Sequence, residues 1–484
     1  MKRTIILSAL CIIAGMAMAQ GDSGNGGGNG GGGDFGGGGS GGGSSSESIG
    51  STSDTGYYQS SGTNSATGET YTSTNSDENA VQITGGTFTM TDCTVEKSGG
   101  NTSDSDGSSF YGINSAVYCG GSSSVLNISG GTVSTSASGA NGIFAYNYGT
   151  INVSDVTVTT TSNLSRGIHA TGGGIINASN LTITTAKTNC SVIATDRGGG
   201  TVTVNGGTYT TTGDDSAITY STGTITATDI IGSSSKGEMS VIEGDNSITL
   251  HNCTMTSGSS SRGMMILQSG SGDSEGYNGT ITVNGGSLTT TSSSAPLLEV
   301  PTYITATLTL KDVTLTVPSG VLMYVNYNTQ WTSYGGTGIL NLTTDSVWTY
   351  NGDANADAYS TAIVNVGTGV TWNGAVDSDN TALSTTVNVD GTWVLTGDSY
   401  VDNLTISASA IVDTNGYTLN YGSLSGDGTV TNGIEQATIP AATTTEDGFN
   451  IYTLDGTCVR KNATTTAGLP AGIYIRNGAK VIVK

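Results

Sequence analysis

The chain has few basic residues. Lys and Arg together number 14 among 484 residues, against 37 Asp and Glu, which gives a formal net charge of −23. A surface this acidic repels nucleic acid and anionic membranes, so we expect neither as a partner. It also disfavours tight binding of polyuronates unless a metal ion bridges the two acidic partners.

Histidine and cysteine are scarce as well. The only histidines are His169 and His251, and the six cysteines include Cys11 near the N-terminus. No C-x-x-C or His/Cys spacing indicates a metal site. We therefore predict neither a metal ion nor another cofactor.

Hydrophobic residues make up only 35% of the chain, a level that can indicate disorder. Here, however, they recur in register. Four blocks, LNISGGTVST, INVSDVTVTT, INASNLTITT and VTVNGGTYTT, follow one another at spacings of 25, 25 and 26 residues. The blocks of this frame begin at Phe88, Leu126, Ile151, Ile176, Val202, Ile225, Ile248, Ile281 and Leu308. This periodicity outweighs the composition and predicts a folded repeat.

Each position of the repeat has a physical role. One column contains only Asp, Asn and Gly, the residue types that best tolerate positive φ, and we interpret it as a corner between two strands. Its members are Asp92, Gly130, Asp155, Asn180, Gly206, Asp229, Asn252, Gly285 and Asp312. Two positions later most repeats carry Thr, followed by an apolar residue. Strand alternation then places Thr outward and the apolar residue inward.

A second apolar patch follows in most repeats, as in GIFAY from Gly142 and GVLMY from Gly320, which makes three strands per coil. A repeat of this length without a helical segment indicates a β-solenoid. We predict an all-β fold, a parallel, right-handed β-helix over residues 55–432. At about 4.8 Å per coil, about fourteen coils between residues 80 and 430 form a rod on the order of 65 Å long.

The cysteines fit this frame as core residues. Cys93 and Cys253 share a column with Val156, Leu181, Ile230 and Val313. They lie several coils apart, so a disulfide between them is excluded by geometry. Buried single thiols are the simpler account.

The N-terminus carries the pattern of a secretory signal. Lys2 and Arg3 precede an apolar run, and an A-x-A site ends at Ala19, which predicts cleavage between Ala19 and Gln20. The run is too short to span a bilayer, and we predict no transmembrane segment. Residues 1–19 are thus assigned as signal peptide and residues 20–54, rich in Gly and Ser, as a flexible linker.

Two polar inserts interrupt the repeat. They fall near residues 99–109 and 269–279 and lengthen the local spacing to 38 and 33 residues. Inserts in solenoids form loops on one face, where binding often occurs. We expect residues 270–279 to form a contact loop.

After Gly338 the coils lose the strict corner column and gain aromatic residues, as in VWTY from Val347, VTWNG from Val370 and GTWVLTGDSYVDNLTI from Gly391. The last phrase resembles the distal coils of autotransporter passenger domains and related adhesin-like, pectin-lyase-like β-helices. An equally good account is that the tryptophans of these phrases plug the open end of the core.

Residues 433–484 differ from the repeat. They contain FNIYTLDG from Phe449, GLPAGIYI from Gly468 and the terminal VIVK. This segment resembles the C-terminal sorting domain of type IX secretion substrates of Bacteroidetes. The resemblance implies a small β-sandwich-like domain, recognition by the type IX machinery, and export to the cell surface or the medium.

The strongest catalytic candidates are Asp214 and Asp215 in TTGDDSAITYSTG. The segment resembles the paired aspartates of polygalacturonase-type glycosidases, in which carboxylates act as acid and base. That family also carries Gly-His-Gly and Arg-x-Lys, and this chain has neither. We favour ordinary turn chemistry for the pair. A lyase on this fold would need clustered acidic residues with a basic residue beside them. Lys311 and Arg262 are isolated in sequence, so no such site is evident.

The outward threonines form a regular hydroxyl array, which resembles the faces of ice-binding solenoids and of self-associating passenger domains. Its clearest members are Thr157, Thr159, Thr182, Thr184, Thr208 and Thr210. Thr is also the best polar residue for an exposed strand, and we favour that simpler account. The array remains a candidate binding surface.

Together these patterns favour an exported, adhesin-like β-helix that contacts glycans or other cells without catalysis. One alternative is a polysaccharide-degrading enzyme, a glycosidase or lyase on the same fold. Another is a structural surface or biofilm component that self-associates through the Thr array.

Overall fold

The computed structural model describes residues 50–270, 272–328, 334–432, 449–453, 457–463, 466, 468–470, 472–476 and 479–483. In these ranges the chain forms 44 strands and one five-residue π-helical turn, Gly107–Tyr111. All strands up to residue 432 pair in parallel with strands of neighbouring coils, which gives the all-β, parallel β-helix expected from the repeat. Each full coil contributes one strand to each of three faces, named here A, B and C in chain order.

Face A has twelve strands. They are Ser51–Gln59, Glu78–Ile83, Val117–Gly120, Ile143–Tyr146, Ile168–Thr171, Ile193–Thr195, Thr219–Ser221, Ser240–Glu243, Met264–Leu267, Leu298–Val300, Val321–Val325 and Asp353–Ala356.

Face B runs the length of the rod, with fifteen strands. They are Thr63–Thr67, Gly86–Thr91, Ser124–Ser129, Thr150–Ser154, Gly174–Thr185, Gly200–Thr211, Thr224–Thr228, Ser247–His251, Asn278–Asn284, Thr305–Lys311, Thr337–Thr343, Thr361–Val366, Ser384–Val389, Ser399–Ile406 and Leu419–Ser425. Fourteen of these begin between residues 80 and 430, the number of coils expected there.

Face C follows the corner. Its first part comprises Thr70–Ser73, Thr94–Lys97, Thr132–Thr135, Thr157–Thr160, the second halves of Gly174–Thr185 and Gly200–Thr211, Ile231–Ser234, Thr254–Ser257, Ser287–Thr290 and Thr314–Thr316. A separate five-stranded sheet continues it: Trp348–Asn351, Val370–Asn373, Thr392–Val394, Ile411–Asp413 and Thr429–Thr431.

The register of face B confirms the repeat frame at every block. Phe88 pairs with Leu126, Leu126 with Ile151 and Ile151 with Ile176, and the ladder continues in step to Leu308. The inserts therefore change the length of a coil without shifting its register. Identical inward positions stack directly on one another, so the core is a continuous column of apolar side chains.

The corner column is confirmed as well. All nine predicted members have positive φ, between 51° and 70°. Beyond the corner, Thr157, Thr182 and Thr208 are exposed, whereas Val158, Ile183 and Tyr209 in the following column are buried. The alternation therefore sorts polar and apolar side chains as predicted.

Two tryptophans of the distal coils belong to the core. Trp372 and Trp393 are fully buried and stack at 5.3 Å between ring centroids. Their indole N–H groups donate to the carbonyls of Gly352 and Gly374, each at 2.8 Å. Neither ring therefore plugs the open end of the solenoid.

A change in coil size explains these rings. Face A ends at Ala356, and the register pairs Thr386 with Asn403 and Asn403 with Ser423, so the coil shortens to 17 and then 20 residues. With one strand fewer per coil, large rings fill the space that three apolar patches fill elsewhere.

The cysteines lie where the core column predicts. Cys93, Cys119, Cys190 and Cys253 are buried, and all four are free thiols, as is the partly buried Cys458. Cys93 and Cys253 share their buried column with apolar residues of other coils.

A separate antiparallel sheet of four strands forms near the C-terminus: Phe449–Tyr452, Cys458–Ala463, Gly472–Arg476 and Ala479–Val483. The predicted signal peptide, its cleavage site at Ala19 and Gln20, and residues 20–49 of the predicted linker lie outside the described residues. Among the described residues, no helix has the length and apolar character needed to cross a membrane.

Candidate functional site

Face A is buried on both sides along much of its length. Its inward residues join the main core, whereas Tyr118, Phe144 and Tyr146 form one separate apolar cluster on its outer side. A second outer cluster contains Tyr220 and Met265. An outer sheet side is normally exposed to solvent in a solenoid, so something must cover this one.

The first insert covers the earlier coils of face A. Its π-helical turn, Gly107–Tyr111, packs the Tyr111 ring against Tyr146 at 5.6 Å. The hydroxyl of Thr171 donates to the Phe110 carbonyl at 2.7 Å, and the Arg166 guanidinium donates to the Ser109 hydroxyl at 3.0 Å. The insert is thus fastened to strands of two later coils.

The second insert covers the later coils. The side-chain amide of Gln268 donates to the carbonyls of Ser274 and Gly276, at 3.2 and 2.9 Å. The Asn246 amide also donates to the Ser274 hydroxyl at 2.7 Å. Both inserts therefore lie over one face, as the sequence indicated.

Arg197 joins the two inserts. Its guanidinium carbon lies 3.9 Å from the centre of the Phe110 ring, a cation–π contact with the first insert. Its Nε and Nη2 atoms donate to Asp273 Oδ1 of the second insert, at 3.1 and 2.6 Å. Arg197 and Asp273 are 76 residues apart in the chain.

A cavity of about 350 Å³ lies between the inserts and face A. Its charged lining consists of Asp106, Asp196, Asp215, Asp273 and Arg166. The rings of Phe110 and Tyr220 also line it, together with hydroxyl and amide groups of residues such as Ser191 and Asn163. The cavity therefore offers acceptors, one guanidinium and two aromatic rings within a small volume.

Asp196 is a strongly perturbed acid of the cavity. Burial raises the pKa of its carboxyl to about 7, although Arg166 opposes the shift. Arg166 Nη2 donates to Asp196 Oδ2 at 3.3 Å, and the backbone N–H of Arg197 donates to Oδ1 at 2.9 Å. Asp196 is thus a buried acid that exchanges a proton near neutral pH.

His169 lies behind Asp196, with its Nε2 atom 3.9 Å from Asp196 Oδ2. The imidazole is fully buried and packs edge-on against Phe144 at 4.8 Å. Burial lowers its pKa well below the usual value, and Arg166 adds to the effect. His169 is therefore neutral, and the contact is not an ion pair.

Tyr220 donates to a second buried acid. Its hydroxyl lies 2.9 Å from Glu243 Oε2, and the Ser269 hydroxyl donates to Glu243 Oε1. Burial raises the pKa of Tyr220 well above its usual value, so the hydroxyl stays protonated. This bond fixes the Tyr220 ring at the cavity wall.

Arg262, isolated in sequence, has two acidic partners in the structure. Its Nε lies 3.0 Å from Glu299 Oε2 and 3.5 Å from Glu238 Oε1, with all three side chains largely buried. Burial raises the pKa of Glu238 to about 7 against the opposing effect of Arg262. This cluster lies on the outer side of face A. Its three residues belong to later coils than Asp196 does.

The structure separates the two aspartates singled out in the sequence. Asp214 is exposed and forms an ion pair with Lys236, at 3.2 Å between Oδ1 and Nζ. Asp215 adopts a positive φ of 50°, as turn chemistry allows, and lines the cavity. Only Asp215 therefore joins the acids of this site.

The outward threonines form straight rows on face C. Thr157 pairs with Thr182 and Thr182 with Thr208, while Thr159, Thr184 and Thr210 form a parallel row. The exposed side chain of Ile231 interrupts the first row one coil later. The rows supply a flat polar surface, remote in sequence from the inserts.

Sequence reasoning missed Arg166, Asp196, Arg197, Asp273 and Tyr220. One signal was available: the solenoid contains only three arginines, and each follows a Ser or Asp and precedes Gly. All three prove to pair with acids over face A. Among the described residues, no group of three or more His, Cys, Asp or Glu side chains is placed to hold a metal ion.

Comparison of the chain with protein-family models, with curated proteins and with solved structures gave no match in any of the three.

Proposed function

We propose that this protein is an exported, adhesin-like β-helix that binds glycans in the cavity over face A and leaves them chemically unchanged. The observation that carries the proposal is the cavity itself: Arg197 joins two inserts above a face that would otherwise be exposed. Because the repeat needs neither insert for its register, we infer that these segments have a role in binding besides covering face A.

The lining suits a sugar. Carboxylates and a guanidinium provide directional acceptors and donors for hydroxyl groups, and the rings of Phe110 and Tyr220 provide apolar faces beside them. A pocket with apolar walls and a few fixed polar groups is the usual form of a small-molecule site. The four carboxylates also disfavour acidic sugars.

Export is supported by the two chain ends. The N-terminal pattern ending at Ala19 favours secretion, and the C-terminal segment carries the motif that resembles a type IX sorting domain. The antiparallel sheet in residues 449–483 is compatible with such a β-rich domain. We propose a right-handed β-helix delivered to the cell surface or medium by that route, as in Bacteroidetes.

The test uses the full chain and a panel of plant and host polysaccharides, with retained protein and released sugar ends recorded together. Retention without release is the expected result. Asp215→Asn should weaken retention, and its neighbour Asp214→Asn should not, because only Asp215 lines the cavity. Equal retention by the two variants would contradict a cavity site.

One observation favours a second candidate, glycoside hydrolysis. Burial raises the pKa of Asp196 to about 7, and Asp215, which also lines the cavity, is less buried. Glycosidases use two such carboxyl groups, one with a raised pKa as the acid and the other as the base. Asp196 would give its proton to the leaving oxygen as the glycosidic C–O bond breaks, and Asp215 would take a proton from the attacking water.

Release of sugar ends that is lost in both Asp196→Asn and Asp215→Asn would establish this second candidate. The catalytic pair would then be Asp196 and Asp215, in place of the Asp214 and Asp215 pair considered from the sequence.

A further inference from the structure

Five tyrosines form an exposed band at the corner between faces A and B, named here the tyrosine strip. They are Tyr277, Tyr303, Tyr327, Tyr334 and Tyr359. Tyr327 is half-buried, and the other four are between 54% and 69% exposed. Four of them, Tyr277, Tyr303, Tyr334 and Tyr359, lie one to three residues before a face B strand in four successive coils, and Tyr327 lies two residues after the face A strand Val321–Val325. Exposed rings in one contiguous band mark interaction sites more often than scattered ones do.

The rings contact one another along the rod. Tyr277 and Tyr303 are 5.8 Å apart between ring centroids, and Tyr303 and Tyr334 are 5.9 Å apart. Tyr327 and Tyr359 form a further pair at 5.0 Å. The planes are inclined by 48° to 63°, so the rings do not stack flat and hide one another's faces. The following coil carries the exposed Leu383 just before its face B strand, which ends the strip.

The backbone beneath the strip is held in place. The carboxylate of Asp357 accepts from the backbone N–H of Tyr327 at 2.6 Å and from that of Tyr359 at 3.0 Å. The backbone N–H of Asp357 in turn donates to the Val325 carbonyl at 2.9 Å. One side chain thus sets the positions of two ring-bearing corners in neighbouring coils.

We propose that the tyrosine strip binds an extended, uncharged polysaccharide chain that runs along the rod axis. The proposal rests on the glycan binding proposed above and names the ligand class and a second contact surface. A surface with about one ring per coil requires a ligand that repeats along one direction. Tyrosine offers an apolar ring and a hydroxyl together, which suits the mixed surface of a sugar better than an aliphatic protein patch.

Charge selects among such polymers. The carboxylate of Asp357 lies beneath the strip, where it accepts from the backbone N–H groups of Tyr327 and Tyr359. A polyanion placed along the strip would meet this carboxylate on a chain with a net charge of −23, so an uncharged chain is favoured.

The second insert contributes a residue to each surface. Asp273 of this insert lines the cavity, and Tyr277 of the same insert begins the strip. Gln268 fixes the segment between them through the carbonyls of Ser274 and Gly276.

The experiment measures binding of the full chain to cellohexaose, mannohexaose and xylohexaose, to the matching disaccharides, and to polygalacturonate. We expect at least one hexasaccharide to bind more tightly than its disaccharide, and polygalacturonate to bind more weakly. The double variant Tyr277→Ala/Tyr303→Ala should lose about tenfold or more in affinity for the hexasaccharide and little for the disaccharide. Tyr417→Ala removes an exposed tyrosine elsewhere and serves as the matched control.

Three outcomes would overturn the strip as a glycan site: wild-type affinity in the double variant, preference for polygalacturonate, or a tyrosine-dependent dimer in sedimentation. If hexasaccharide and disaccharide bind equally and Asp215→Asn weakens both, the cavity stands and the strip fails. If the wild-type chain binds none of these sugars, both proposals fail together.

Discussion

Replacing Asp196 with Asn should change how stability depends on pH. Burial raises the pKa of this carboxyl from 3.8 to about 7 in the folded chain. Between these two values the folded protein holds a proton that the unfolded chain releases. The stabilisation from the protonated Asp196 is therefore complete below about pH 4 and is lost as the pH rises through about 7.

The magnitude follows from the same two values. Linkage gives a loss of roughly 3 kcal/mol between pH 5 and pH 8 for one such carboxyl. Asn cannot titrate, so the variant lacks this loss. The substitution also removes the ion pair with Arg166, which changes the absolute stability as well. The slope against pH, and not the absolute stability, is therefore the diagnostic quantity.

The assay is the urea unfolding midpoint, followed by circular dichroism at pH 5, 6, 7 and 8. Glu238 has a raised pKa of the same kind and titrates in both proteins, so it cancels in the comparison. Asp214→Asn, at an exposed ion pair, is the control and should keep the wild-type slope. The reasoning is refuted if Asp196→Asn also keeps that slope.

Three further predictions concern the solenoid itself. Trp393→Ala should lower the free energy of unfolding by about 3–5 kcal/mol, since it empties a buried ring site; thermal unfolding measures this. Gly207→Ala should lower the thermal unfolding temperature more than Gly270→Ala does. Both glycines have positive φ, so the backbone strain is shared. A methyl group at 207 would lie 2.3 Å from the Leu181 carbonyl oxygen, whereas at 270 no atom lies within 4 Å. Cys119, whose pKa burial raises to about 12, should resist iodoacetamide until the chain is unfolded, while the partly buried Cys458 should react first.

The repeat could be predicted because every coil of a parallel solenoid carries the same residue pattern in its own sequence. Each coil places its corner, its outward Thr and its inward apolar residue at fixed offsets, so nine blocks can be aligned without knowing any contact. The positive φ at Asp92 and Asn252 follows from residue type alone.

The cavity could not be predicted in this way. Its contacts join residues that share no period: Arg166 reaches Ser109 across 57 positions, and Arg197 reaches Asp273 across 76. The inserts were visible as breaks in the repeat, but their folding onto face A depends on side chains such as Gln268 that carry no pattern. Asp215 was found for its resemblance to a catalytic pair, and in the structure it lines the cavity together with Asp196, whereas Asp214 does not.

The tryptophans show a second limit on what can be predicted from the sequence. Sequence gives the inward or outward sense of a residue only while the coil length stays constant. Once the coil shortens beyond Ala356, Trp372 falls on an inward position that the 25-residue frame does not mark. The sequence therefore suggested an end plug, whereas Trp372 and Trp393 lie in the core.

The unbroken register also sets distances along the rod in units of one coil. Because every coil advances the chain by about 4.8 Å, removing one uninterrupted coil would bring the parts on its two sides closer by that amount. Distances between groups on such a molecule can therefore change in discrete steps, by gain or loss of whole coils, since newly adjacent coils present the same inward positions to each other.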